Sequence, residues 1–231
     1  MSKDGPYDTK TGILYIMEKI QHNIKGINEQ QIQNMVNEII YTKAKGGRIF
    51  VAGTGRTGLM GKAFAMRLYH LGFDVVILGE TIVPSATKRD SVIAMSGSGK
   101  TDFIVDTASI ARKIGSKVIG LTSNSDSPLA KLTDILVEVK GRTKDMLEPI
   151  IEEIDSSKKI SNDADKSVVQ KIKWDARQLT GLHAPLSPLG SLFELTLMMF
   201  LEGIIATLIS RLNIAEEDIK SRHANIETIS F

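Results

Sequence analysis

Directly after the apolar run Val92–Met95 come Ser96, Gly97, Ser98, Gly99, Lys100 and Thr101. These residue types, in this order, suit the seating of a phosphate. Gly97 and Gly99 let the backbone turn tightly with N–H groups outward, and Ser96, Ser98 and Thr101 add hydroxyl donors. A helix opening near residue 102 would aim the positive end of its dipole at the same spot. A Ser/Gly connection without a ligand is the plainer reading of the same loop. Gly99-Lys100-Thr101 imitates the tail of a nucleotide P-loop, but that motif needs glycine five residues earlier, where the chain has Ala94.

A second glycine loop, Gly53-Thr54-Gly55-Arg56-Thr57-Gly58, follows the strand-like Arg48–Ala52 and precedes an amphipathic helical pattern over 59–71. Its spacing matches the dinucleotide fingerprint GxGxxG, and Glu80 stands near where a ribose-binding acid would sit. Arg56 inside the loop suits a phosphate or a carboxylate better than a pyrophosphate spine, or is a solvated loop cation. Among carboxylates, Glu194 lies near the start of an apolar helical stretch beside Phe193 and Leu195, with Glu202 two turns on as its rival. His223 sits in a polar C-terminal run. His22, His70 and His183 have no spacing that suggests a metal site, and His70 reads as packing.

The elements that would position these groups alternate. Arg48–Ala52, Val75–Leu78, Val92–Met95, Lys117–Leu121 and Ile135–Val139 read as strands, with helices at about 59–71, 102–114 and 128–132 between them. Gly72 and Gly115 stand where helix C-caps belong. Two amphipathic helices precede the first strand within 10–45, separated near Gly26-Ile27-Asn28. Short alternating units predict an α/β fold, a five-stranded parallel sheet with helices on both faces. In a flavodoxin-like strand order, the two glycine loops would line one crevice. The segment 143–184 reads as a polar insertion with helices at 145–160 and 164–179, pinned by Trp174, before helices over 188–231.

The 231 residues fit one domain, and a formal charge of +2 with scattered basic residues argues against a nucleic-acid partner. No cysteine is present, so disulfides, thiolate zinc sites and thiol nucleophiles are excluded. The N-terminal MSKDGPYDTK has no signal-like apolar core, and Glu194 and Glu202 interrupt the apolar stretch Leu189–Ile209. A soluble cytoplasmic protein without a membrane partner is the expectation. Ile204, Ile205, Leu208 and Ile209 extend the apolar helix beyond what one small sheet needs, which predicts a homo-oligomer.

These loops, in this order, resemble the SIS (sugar isomerase) domain family, whose members bind phosphosugars. GTGRTG, KAFAMRLYHLGF at 62–73, GET at 79–81, the serine loop, SPLGSLFE at 187–194 and RHANIE at 222–227 resemble in particular its 6-phospho-3-hexuloisomerase branch. The similarity spans roughly 30–140 and 185–228, while the segment from about 143 to 184 is longer than the usual connection. The resemblance implies that Ser96, Ser98 and Thr101 hold a sugar phosphate, with Gly97, Gly99 and Lys100 supplying backbone. It implies that Thr54, Gly55, Arg56 and Thr57 close over the sugar. Glu194 would be the enolisation base, and His223 would enter an active site, in some members that of a neighbouring subunit.

The implied reaction converts 3-hexulose 6-phosphate to fructose 6-phosphate through an enediolate, in the ribulose monophosphate route, with no metal or other cofactor. A tetramer is favoured over a dimer. Rival readings are another SIS isomerase such as one for arabinose 5-phosphate, a non-catalytic phosphosugar sensor, and an NAD-dependent oxidoreductase.

Overall fold

The computed structural model describes residues 9–141 and 191–223. Two helices, α1 (Thr9–Lys25) and α2 (Glu29–Ala44), precede the sheet. Then follow β1 (Ile49–Ala52), α3 (Gly55–His70), β2 (Val75–Ile77), β3 (Ser91–Met95), α4 (Asp102–Ile114), β4 (Lys117–Thr122), α5 (Pro128–Lys131) and β5 (Ile135–Glu138). The long α6 (Ser191–Leu212) and short α7 (Glu216–Ser221) complete the described chain.

The five strands are parallel in the order β2-β1-β3-β4-β5. β1 and β3 are buried along their whole length, which is why their sequences are continuous apolar runs rather than alternating ones. Successive residues of β1 serve opposite faces. Ile49 and Val51 join the core made with α2, α3 and α6, and Phe50 and Ala52 join the smaller core under α4 and α5. By length and composition alone α6 is long and apolar enough to cross a membrane. Here Phe193, Leu197, Leu201, Ile204 and Leu208 are buried in the larger core, as in a core helix.

The strand and helix boundaries anticipated from the sequence hold to within a residue or two, with one consequential exception. α3 begins at Gly55, not at residue 59. Gly53 and Gly58 touch through their backbones: a Cβ on Gly53 would lie 2.9 Å from the Gly58 Cα. The Gly58 N–H donates to the Thr54 carbonyl at 3.0 Å, so the helix starts at once and takes Arg56 and Thr57 into its first turn. Gly61 then lets α3 lie on the sheet, since a Cβ there would meet Met95 Cε at 2.6 Å. Gly115, with φ of 89°, closes α4 as anticipated. The expected insertion at 143–184, its helices, Trp174 and His183 lie outside the described residues.

Candidate functional site

The strand order reverses between β1 and β3, the chain adding β2 on one side of β1 and β3 on the other, and at this switch point a crevice opens above the carboxyl ends of two adjacent strands. Ala52 of β1 pairs in register with Ala94 of β3, so the two glycine-containing segments leave the sheet side by side, one strand spacing (about 4.8 Å) apart. Each runs straight into a helix. Both helices start without a side-chain cap: Thr54 and Thr101 occupy the cap positions and make no cap bond. By contrast, Asn28 caps α2 and Ser127 caps α5. Among the described residues the Asp102 and Phe103 N–H groups have no partner, and the positive ends of α3 and α4 favour an anion at the crevice mouth.

Within the serine loop the hydroxyls divide the work. Ser96 is buried and organises the turn: its Oγ accepts the Gly99 N–H at 3.1 Å and bonds Thr101 Oγ1 at 2.9 Å. Ser98 and Thr101 are half-buried and remain accessible. Gly99 N–H also reaches the Ser96 carbonyl at 3.0 Å, and Lys100 N–H donates to Ser98 Oγ at 3.2 Å. Those two backbone donors are thus engaged inside the loop. Among the described residues, the Gly97, Ser98 and Thr101 N–H groups have no partner. Gly99 adopts φ of 67°, and Ser127 packs where its side chain would be. Thr122 at the end of β4, and Ser123 and Ser127 after it, come against the serine loop only through the fold. The hydroxyl-rich run after the fourth strand was the signal available in the sequence.

At the other wall, Arg56 in the first turn of α3 reaches Glu194 in the first turn of α6. The guanidinium Nη2 lies 3.4 Å and 3.5 Å from the two carboxylate oxygens. The Glu194 side chain is mostly covered, at 18% exposure, while Arg56 is half open, at 51%. Gly141 holds α6 in place, because the chain leaving β5 runs directly against Phe193 with no room for a Cβ. Thr57 is buried in α3, whereas Thr54 and Gly55 are exposed at the rim. Glu202, the rival carboxylate, pairs with Arg67 at 3.4 Å further along the α3–α6 contact. Glu80 lies past the end of β2 and pairs with Lys62 at 2.5 Å. Among the described residues, no group of three or more metal-binding side chains comes together.

His223 is elsewhere in its own chain. Its ring stacks on His70 at the C-terminal end of α3, with centroids 4.0 Å apart. α3 has 16 residues, so at a rise of about 1.5 Å each this is roughly 22 Å from the crevice end. Arg222 donates to the His70 carbonyl at 3.4 Å, and Lys43 Nζ donates to the carbonyls of Leu71 (3.2 Å) and Gly72. Cations thus cover the negative end of the helix. Burial and then the neighbouring Arg222 hold the Lys43 ammonium below its usual pKa. For His70, burial, His223 and Arg67 all press the pKa below its ordinary 6.5.

The SIS domain profile matches residues 40–154, from the end of α2 through all five strands. Over 92% of this chain and 95% of the other, 30% of residues are identical to the 3-hexulose-6-phosphate isomerase of Bacillus subtilis. The chain belongs to the SIS domain family. This SIS protein is also 44% identical to an uncharacterized protein of Aeropyrum pernix, over 90% of its own length and 87% of the relative's. Its backbone superposes on a Methanococcus jannaschii protein whose crystal structure infers a molecular function of 3-hexulose-6-phosphate isomerase. There the TM-score is 0.67 and the identity 26%, covering 93% of this chain and 98% of the other.

Proposed function

We propose that this SIS-family sugar phosphate isomerase converts 3-hexulose 6-phosphate to fructose 6-phosphate; its Bacillus relative is named a 3-hexulose-6-phosphate isomerase. The observation that carries the proposal is the Arg56–Glu194 pair, a covered carboxylate and a cation set beside an uncapped, hydroxyl-lined anion seat. The sugar's phosphate rests on Ser98, Thr101 and the free N–H groups at the start of α4, with Ser96, Gly97, Gly99 and Lys100 shaping the turn. Thr54, Gly55 and Thr57 close over the sugar from α3. That grip fixes the reacting end of a short, flexible substrate.

Glu194 takes the proton from carbon 2 of the ketose and returns it to carbon 3. Between the two transfers an enediolate carries the charge, and Arg56, already oriented on this carboxylate, stabilises the developing oxyanion. A proton moves from the oxygen on carbon 2 to that on carbon 3, which His223 of a second copy performs. Its distance from the crevice in its own chain supports that division between subunits. Met17 and Met199 line an apolar groove of about 780 Å³ between α1 and α6, Ile13, Leu14 and Met198 are exposed on the same two helices, and together they support assembly through this side, with a tetramer favoured.

The test is a coupled assay with 3-hexulose 6-phosphate against a panel of other sugar phosphates, in the parent protein and in Glu194→Gln. We expect turnover of the hexulose phosphate by the parent, and loss of turnover with retained phosphosugar binding in the variant. Faster turnover of arabinose 5-phosphate would replace the substrate. Binding without any turnover by the parent would make the protein a sensor, and full activity in Glu194→Gln would remove the base.

A further inference from the structure

The carbonyl of Gly97, in the middle of the serine loop, is held by three donors from the end of β4. Ser123 donates through both its N–H at 3.0 Å and its Oγ at 2.8 Å, and Thr122 donates through Oγ1 at 3.2 Å. One such bond would anchor a turn. Three fill the lone pairs of the carbonyl and leave its peptide no freedom to rotate. Thr122 is fully buried and Ser123 is 4% exposed, so neither hydroxyl is placed to touch a ligand.

The consequence follows from the geometry of the amide. In a planar trans peptide the C=O and the next residue's N–H point in opposite directions. With the Gly97 oxygen drawn towards β4, the Ser98 N–H is turned the other way, out of the loop. That N–H has no partner among the described residues. Ser98 Oγ is held separately, by the Lys100 N–H at 3.2 Å across the turn.

We propose that Thr122 and Ser123 are positioning residues for the anion seat. By fixing the Gly97 carbonyl they aim the Ser98 N–H at the substrate's phosphate. The inference rests on the proposed phosphosugar reading of the crevice. It assigns part of the affinity for the phosphate to two buried residues beyond the loop itself. Because they act on binding common to ground and transition states, they govern KM more than kcat.

The experiment uses the full chain and inorganic phosphate as the probe, with Thr122→Val, Ser123→Ala and Thr122→Ser. Phosphate affinity is read by calorimetric titration, and KM and kcat by the isomerase assay. We expect both the phosphate dissociation constant and KM to rise about tenfold in Thr122→Val and Ser123→Ala, with kcat within about twofold of the parent. Thr122→Ser keeps the hydroxyl and retains the parent's phosphate affinity. Unchanged phosphate affinity in the first two variants overturns the clamp while leaving the site intact. An equal loss in Thr122→Ser also overturns it, since packing would then be the cause. A parent protein that does not bind phosphate removes the seat itself, and this inference with it.

Discussion

His70 and His223 lie ring against ring, their planes inclined by 24°, and the buried Nδ1 of His70 has no hydrogen-bond partner among the described residues. Burial, His223 and Arg67 all disfavour the charged form of His70. Arg67 shares its helix, His223 and Arg222 face it from the C-terminal segment, and Lys43 approaches the same helix end from α2. A histidine whose folded pKa lies below its unfolded 6.5 contributes fully above that pH. Its contribution is lost as pH falls from 6.5 towards the folded pKa, where the unfolded chain binds more protons. Urea midpoints measured from pH 8 to 5 are expected to drop through this window, and His70→Phe, which keeps an aromatic surface, should flatten the slope. An unaltered slope in that variant would show that the loss arises elsewhere.

The separation of His223 from Glu194 within one chain makes a prediction about mixed oligomers. If each working site takes Glu194 from one copy and His223 from another, Glu194→Gln and His223→Ala are each inactive alone. Co-expressed and assembled at random, they should regain activity at about a quarter of the sites. Purified hybrids assayed against the two parents give the answer. No recovery in verified hybrids would place both groups in one chain or exclude His223.

In the proposed mechanism Arg56 bears on the chemical step through the charge it presents. Arg56→Ala should lower kcat by about a hundredfold, in line with roughly 1.5–3 kcal/mol for a hydrogen bond to a charged group. Arg56→Lys keeps the charge but loses the fork, and should fall between. Steady-state kinetics separate the cases. A rise in KM with unchanged kcat would make Arg56 a binding residue only.

Gly99 tests how tightly the loop is built. Its φ of 67° disfavours any side chain, and an added Cβ would lie 2.1 Å from Ser127 Oγ and 2.9 Å from Thr122 Oγ1. Ser127 is not free to move, because its Oγ accepts the Ala130 N–H at 3.2 Å and caps α5. Gly99→Ala should cost about 2–3 kcal/mol, combining left-handed strain with a disturbed cap, and weaken phosphate binding. Gly46, also at φ of 67° but with nothing within 4 Å, is the control. Gly46→Ala should cost only about 1–2 kcal/mol and leave binding intact. Urea unfolding and phosphate titration measure both.

The local features of this chain were legible in its residues because short-range backbone chemistry determines them. Apolar runs marked the strands, Gly115 the end of α4, and two glycine-containing bends the segments that leave β1 and β3; the family resemblance pointed to Glu194 and Arg56. Even locally there was a limit. The start of α3 depends on Gly53 and Gly58 touching, a contact that hydrophobic periodicity does not register. What only the tertiary structure decided are relations between distant segments. The strand order set the two bends side by side. The packing of α6 on α3 joined Arg56 to Glu194 across 138 residues and gave Glu202 to Arg67 instead. The end of β4 reached the Gly97 carbonyl, and the C-terminal turn brought His223 to His70. Such pairings follow from how layers stack and from which way a peptide plane is turned, and no spacing along the chain encodes either.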